Sequence, residues 1–215
     1  MRASRIAGLI LVSVLIAAGS GAQSALASAG RPFIARKGTV TLSFNAAFLA
    51  TLKGLGVEFA IGDGRGHPLS APFPALSIDP AAEQPSRAPR TPLNTAKPAG
   101  IVYIGTALVG FYQQLTSSNT QGGILFPQVN FVGHPALEGE YSYTHTGSEE
   151  VSGSKLAPFF LLNTGHVKPV LKGNSLTLKN IPMTLAPAAM PFFTLFGPGF
   201  TAGESVGTLT IKALR

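Results

Sequence analysis

The chain of 215 residues has no cysteine, no tryptophan and few acidic residues. Without cysteine no disulfide and no thiolate site can form, so packing alone has to stabilise the fold. Nine Asp and Glu residues against 16 Lys and Arg give a formal net charge of +7, but the basic residues are scattered rather than interleaved with aromatics. This pattern argues against nucleic-acid binding and agrees with a mild attraction to an anionic cell envelope.

The common catalytic motifs are also missing. The sequence has no Gly-x-Ser-x-Gly elbow, no His-Glu-x-x-His pair and no glycine motif of the phosphate-binding or dinucleotide-binding type. We therefore predict a non-enzymatic protein with no catalytic residue and no metal site. The alternative is a polysaccharide-acting hydrolase, whose paired carboxylates would come from Glu138, Glu140, Glu149 and Glu150. A solvated hairpin end is the competing interpretation of these four glutamates.

Residues 1–29 have the pattern of a secretory signal peptide. Arg2 and Arg5 precede the apolar run Ile6–Ala18, and small residues that suit a cleavage site follow within Ala25–Ala29. The run is short for a membrane span, although an uncleaved N-terminal anchor is the alternative. We predict a protein that is secreted or associated with the cell envelope, with no transmembrane segment after signal cleavage.

The remaining residues, 30–215, are predicted to form a single β-rich domain. With 25 glycines, 17 prolines and only 12% charged residues, the composition favours short strands and many turns. The predicted fold class is mainly β, an antiparallel β-sandwich or twisted sheets with two short helices near 45–53 and 186–196. Eight of the 17 prolines fall in a Pro/Ala-rich loop at about 62–100.

Alternation of apolar and polar residues predicts the strands, and Ser117–Gly123 predicts a turn because it is rich in Ser, Asn and Gly. Glycines interrupt the fourth predicted strand, so it is either one long strand or a bulged pair. The predicted strands are Gly38–Phe44, Val57–Ile61, Phe73–Ile78, Ile101–Gln114, Leu125–Val132, Glu138–Thr146, Pro158–Leu162, Leu176–Leu185 and Val206–Leu214.

One pattern occurs twice. Thr41–Val57 aligns without gaps on Thr184–Phe200, and seven of the 17 positions are identical. Each copy reads as the end of a strand, a short helix and a glycine-containing turn. Two such units near the ends of the β-rich region indicate one closed domain rather than a tandem array.

Candidate ligand-binding residues come from one predicted strand and the turn before it. Tyr141, Tyr143 and His145 alternate, so they would share one face of the strand. A face of Tyr and His side chains can line a ligand pocket or bind iron, whereas the simpler interpretation is an amphipathic strand. His134 lies in the preceding turn and completes the predicted ligand-binding set.

Two segments resemble the HtaA domain of secreted and cell-surface actinobacterial proteins. Phe131–Leu137 is similar to the Phe-x-Gly-His turn of the family's mid-domain, and Leu185–Phe192 is loosely similar to its C-terminal segment. The resemblance covers roughly Gly38–Leu214. It implies a β-rich module associated with haem capture, with haem as the cofactor and His134 as the residue that carries over.

The sequence departs from that family where iron would be bound. The resemblance implies a tyrosine ligand from the N-terminal helix, hydrogen-bonded to the mid-domain histidine, but residues 46–52 contain no tyrosine. Phenylalanines occupy the C-terminal aromatic position (Phe192, Phe193 and Phe196), and a phenyl ring cannot supply the charge of a tyrosinate. We predict an exported non-enzymatic β-domain whose partner is a hydrophobic small molecule or a cell-envelope component, with haem binding as the alternative.

Overall fold

Strands form because apolar residues alternate along them and pack on one side of a sheet. In the strand Ser175–Leu185, for example, the buried residues recur at every second or third position.

The computed structural model describes residues 31–62, 76–78, 92–105, 108–115, 119–145 and 151–215. The strands are β1 (Pro32–Phe33), β2 (Lys37–Phe44), β3 (Val57–Gly62), β4 (Leu76–Ser77), β5 (Leu93–Asn94), β6 (Ile101–Tyr103), β7 (Leu108–Gln114), β8 (Asn119–Asn130), β9 (Ala136–His145), β10 (Val151–Leu162), β11 (Val170–Lys172), β12 (Ser175–Leu185) and β13 (Ser205–Leu214).

Eleven of these strands belong to one antiparallel sheet. Its order is β3-β7-β8-β9-β10-β12-β13-β2-β4, with β6 pairing β8 and β11 pairing β12, while β1 and β5 form a separate pair. The fold class is therefore mainly β, with twisted antiparallel sheets and two helical segments, as predicted. The break in the predicted strand Ile101–Gln114 gives two strands, β6 and β7, rather than one.

Both helical segments lie where the sequence predicts them. Helix α1 (Ala46–Gly54) begins at Asn45, whose side-chain oxygen accepts a 2.8 Å hydrogen bond from the backbone N–H of Phe48. The second segment has a single α-helical turn, α2 (Met190–Phe193), between the 3₁₀ turns Pro187–Ala189 and Thr194–Phe196. Proline has no N–H to donate, so Pro187 and Pro191 are consistent with this short, irregular helix.

Ten phenylalanines pack together inside the sheet and form what we call the phenylalanine cluster. Phe193 lies at its centre, with ring centroids 5.6 Å from Phe111 of β7 and 5.8 Å from Phe48 of α1. Phe48 in turn lies 5.1 Å from Phe44 of β2. The cluster consists of Phe44, Phe48, Phe111, Phe126, Phe159, Phe160, Phe192, Phe193, Phe196 and Phe200.

These contacts require the sheet to curl. Strands β7 and β2 are six places apart in the sheet order, which at about 4.8 Å per strand would separate them by roughly 29 Å in a flat sheet. Only two rings, Phe193 and Phe48, lie between Phe111 and Phe44 along the chain of contacts. The inner face of the curled sheet is thus closed around the two helical segments.

The repeated pattern has a structural counterpart. Its two strands, β2 and β12, are the two neighbours of β13 in the sheet. Their following helices meet through the edge-to-face contact of Phe48 with Phe193. The two copies therefore lie on either side of one strand and pack their helices on each other.

The prediction of a turn at Ser117–Gly123 is wrong for residues 119–123, which form part of a strand. Residues Asn119–Gly123 belong to β8 and pair with β7 and β9. The glycines serve close packing instead of a turn, because a Cβ at Gly122 would lie 2.7 Å from the Phe192 ring and one at Gly123 would lie 2.8 Å from Leu108. The short strands β1, β5 and β11 were not predicted either.

Two predictions concern residues that the structure does not describe. The predicted signal peptide lies outside the described residues, and so do positions 63–75 and 79–91 of the predicted Pro/Ala-rich loop. The described residues of that loop include the short strands β4 and β5. In the ranges that are described, no helix has the length and apolar character needed to cross a membrane.

Gly207 provides a test of how tightly β13 packs on β2. Its φ is +146°, and a Cβ there would lie 2.0 Å from the carbonyl oxygen of Ser43. We expect Gly207→Ala to lower the free energy of unfolding by about 3 kcal/mol, because the strand pair has to separate. Urea denaturation followed by circular dichroism measures this change.

Gly54 is the matched control. It lies in α1, has no positive φ, and a Cβ there would meet nothing within 4 Å. Gly54→Ala should leave stability unchanged or raise it by roughly 0.5–1 kcal/mol. Equal losses in the two variants would contradict the close approach at Gly207.

Candidate functional site

Strand β9 brings three of the four predicted ligand-binding residues onto one face. Tyr141 and Tyr143 are half-buried and stack with their ring centroids 6.4 Å apart and their planes inclined by 18°. Tyr141 also contacts Phe159 at 5.7 Å and Phe192 at 5.5 Å, so it borders the phenylalanine cluster. The stacked pair therefore leads from the apolar interior to the exposed His145 at the end of the strand.

A row of polar residues crosses the sheet at that end. Gln113, Thr120 and His145 are neighbours on β7, β8 and β9. The Thr120 hydroxyl lies 2.9 Å from Nδ1 of His145, and Thr120 is buried. We call these three residues the end row.

Gln113 connects the end row to both helical segments. Its side-chain amide nitrogen donates two hydrogen bonds of 2.8 Å, one to the carbonyl oxygen of Leu55 after α1 and one to that of Phe196 after α2. Gln113 is buried, and its two bonds give both carbonyls a hydrogen-bond partner where water has little access. Gln113 thereby ties β7 to the ends of both helical segments.

A shallow groove runs along the other face of the same strands. It has a volume of about 170 Å³ and is lined by Leu108, Gly110, Tyr112, Gln121, Gly122, Gly123, Ser142, Tyr143 and Thr144. Tyr112 is 41% exposed, and its ring covers Gly110, where a Cβ would lie 2.9 Å from the phenol oxygen. Tyr143 is the one predicted site residue that also borders this groove.

His134 lies apart from the other predicted residues. It is exposed in the turn between β8 and β9, next to Gly133, whose φ is +73°. The turn is held by hydrogen bonds of 2.9 Å from the N–H of Phe131 to Gly100 and from the N–H of Leu162 to Pro135. Tyr141 is five residues beyond the start of β9, roughly 17 Å at about 3.4 Å per residue, so the turn precedes the strand and the tyrosines lie in its second half.

Helix α1 presents apolar side chains to the interior. Phe48 and Leu52 are its buried residues, and Phe48 packs on Phe193 and on Phe200, 6.1 Å away. The helix carries no tyrosine, and its inward face is occupied by these ring contacts. The described interior beneath α1 is therefore packed with phenylalanines.

Of the four carboxylates that were considered for hydrolysis, one has structural partners and two lie outside the described residues. Glu138 accepts a hydrogen bond from the side-chain amide of Gln128 and another, 3.1 Å long, from that of Asn130. Glu140 lies two residues further along β9, while Glu149 and Glu150 are outside the described residues. Among the residues that are described, no group of three or more His, Cys, Asp or Glu side chains could hold a metal ion.

Sequence reasoning missed the end row, although one signal was available. Val109, Phe111 and Gln113 occupy alternate positions of β7, and the first two are buried. Alternation therefore places the polar side chain of Gln113 on the inward face of the strand. A buried amide needs partners, but the sequence could not show that these are the carbonyls of Leu55 and Phe196. Those contacts join residues 58 and 83 positions apart.

Replacing Gln113 tests the importance of these bonds. Gln113→Met keeps the length of the side chain but leaves one buried and one partly buried carbonyl without their donor, so we expect the free energy of unfolding to fall by roughly 2–3 kcal/mol. The neighbouring Gln114 is exposed, and Gln114→Met should change stability by less than about 0.5 kcal/mol. Thermal and urea denaturation measure both variants; a loss no greater than that of the control would show that Gln113 is dispensable.

Two solved structures are similar to this chain over most of its length. The N-terminal domain of HtaA from Corynebacterium glutamicum matches with a TM-score of 0.52 and 13% identity, covering 84% of this chain and 98% of that domain. The C-terminal domain of the same protein matches with a TM-score of 0.51 and 11% identity, covering 84% and 97%. No family model and no curated protein sequence matches the chain. At this identity the likeness establishes the fold: the chain has the fold of the HtaA domains, as the sequence resemblance predicts.

Proposed function

We propose that the protein is an exported, non-enzymatic binding domain that takes a hydrophobic small molecule at the outer end of β9. The stacked pair of Tyr141 and Tyr143 is the observation that carries this proposal. Half-buried tyrosines offer a flat apolar surface with a polar end, and His145 and Thr120 place further polar atoms beside them. Such a surface suits a ligand that is apolar over most of its area and polar at one edge.

Haem is the second candidate, and the two possible iron-binding regions fit it differently. The α1 region does not fit, because Phe48 and Leu52 fill the inward face and no phenol is present. The end of β9 fits better, because the phenol of Tyr143 and the imidazole of His145 are both side chains that bind haem iron. A bound haem would supply ferric iron to these donors and a flat ring to the tyrosine pair.

His134 is the alternative contact for the same ligand. Its turn resembles the mid-domain motif of the HtaA family, and Val132 beside it is 53% exposed. Exposed apolar and imidazole groups in a turn can meet a flat ligand from outside the sheet. In this alternative the ligand would bind at the start of β9 rather than at its end.

The hydrolase alternative receives less support from the contacts. Both carboxylate oxygens of Glu138 accept hydrogen bonds from neighbouring amides, an arrangement that suits a structural acceptor. Export is supported by the sequence pattern of residues 1–29, and the positive charge would favour residence at an anionic envelope. A secreted or envelope-associated binding domain is therefore our proposal for the whole chain.

Titration of the mature protein with hemin tests the proposal and locates the site. We expect a saturable shift of the Soret band, weakened at least about tenfold by the double substitution Tyr143→Phe and His145→Ala, since each removes a candidate iron donor. Tyr112→Phe, on the opposite face of the sheet, is the matched control and should bind as the unmodified protein does.

The His134→Ala variant separates the two locations. Unchanged affinity in this variant, together with loss in the Tyr143 and His145 variant, would support the end of β9. The reverse result would assign binding to the turn. No Soret shift with any variant would reject haem, and a failure of the tyrosine fluorescence to respond to other flat apolar ligands would reject the β9 site as a whole.

A further inference from the structure

The segment around β11 presents basic residues around a cavity. It contains a cavity of about 220 Å³ lined by Asn163, His166, Val167, Lys168, Val170, Lys179, Asn180 and Pro182. Among these described lining residues two are lysines, one is a histidine and none is acidic. The cavity therefore offers cations and amide groups without a carboxylate to neutralise them, which favours an anionic partner.

The backbone holds these polar groups in place. The pairing register of β12 shifts between Leu178 and Ile181. Because of this shift, the consecutive residues Lys179 and Asn180 are both exposed. Asn180 adopts a φ of +52°, and its N–H donates a 3.1 Å hydrogen bond to the hydroxyl of Thr210. On the other side, the N–H of Asn163 donates to the carbonyl of Pro182 at 2.9 Å. The cavity thus lies between an irregular stretch of β12 and a loop tied to it.

Apolar side chains border the cations. Val170 and Leu171 of β11 are each 45% exposed, and Lys168 and Lys172 flank them in sequence. Binding of a free anion would leave the valine and leucine side chains exposed to water. Insertion into an apolar layer would remove them from water, which is favourable. Apolar residues between lysines are typical of surfaces that contact an anionic membrane, where the lysines meet the headgroups.

We propose that this basic hairpin patch, formed by His166, Lys168, Val170, Leu171, Lys172 and Lys179, docks the domain on an anionic phospholipid surface. Lys168 and Lys179 meet phosphate headgroups at the cavity. Val170 and Leu171 project to opposite faces of β11, which among the described strands pairs with β12 alone. The other edge of β11 therefore inserts, and the two side chains enter the interface between headgroups and acyl chains on either side of that edge. The surface is separate from the β9 site, so it does not depend on the proposed ligand.

Cosedimentation with lipid vesicles tests the proposal. The mature protein should bind vesicles that contain phosphatidylglycerol and should not bind vesicles of phosphatidylcholine alone. The double variant Lys168→Ala and Lys179→Ala should bind roughly 25-fold less, at about fivefold for each basic residue near an anionic leaflet. Lys53→Ala with Lys155→Ala removes the same charge elsewhere and should lower binding by less than about twofold.

The apolar contribution needs its own pair of variants. Val170→Ser with Leu171→Ser should reduce vesicle binding by about fivefold or more, because the charges remain but the apolar insertion is lost. Leu108→Ser with Leu115→Ser, which replaces two exposed apolar residues in and next to β7, is the control and should bind normally. Circular dichroism confirms that each variant is folded before its binding is compared.

Three results would overturn the proposal. The first is no sedimentation with phosphatidylglycerol vesicles. The second is an equal loss in the lysine variants of the patch and of the control, which would indicate general charge attraction. The third is binding of inorganic phosphate, or of an insoluble anionic polysaccharide, that needs Lys168 and Lys179 but not Val170 and Leu171. That result would make the patch an anion site without a lipid contact.

Discussion

The curl of the sheet depends on the ring of Phe193. This ring contacts Phe111 near one end of the strand order and Phe48 of α1, which packs on Phe44 near the other end. Aromatic pairs of this kind add roughly 0.5–1.5 kcal/mol each beyond the area that they bury. Because one short helical segment makes these contacts at once, it joins two parts of the sheet that are far apart in the strand order.

Filling the interior in this way determines where a ligand can bind. Rings occupy the space between α1, α2 and the sheet, so the candidate sites lie at the periphery. One is the end of β9, where the stacked tyrosines leave the cluster and the end row begins. The other is the β11 hairpin, where a register shift in β12 exposes consecutive polar residues. The β11 hairpin lies where a register shift interrupts the regular alternation, and the end of β9 lies where the buried core gives way to partly exposed side chains.

Local pattern predicted most of the fold, and non-local contacts decided the rest. Alternation located β2, β9, β12 and β13, and Asn45 marked the start of α1, because these signals lie within a few residues. Asn119–Gly123 reads as a turn but is a strand, since its glycines make room for side chains such as Phe192 that come from distant positions. Local pattern likewise indicated that Tyr141 and Tyr143 share a face and that His134 lies in the turn before their strand. It could not show that Thr120 meets His145, because these residues are 25 positions apart.

The repeated segments link this packing to the choice of ligand site. In both copies a helix follows a strand that neighbours β13, and the two helices touch through Phe48 and Phe193. A polar iron-binding phenol on α1 would have to be desolvated among phenyl rings or would have to displace them, and either change would weaken the contact that closes the sheet. The same position cannot both complete this core and present a charged donor to a ligand. A ligand site with polar donors is therefore compatible with this core only where the packed rings end, as we propose for the outer half of β9.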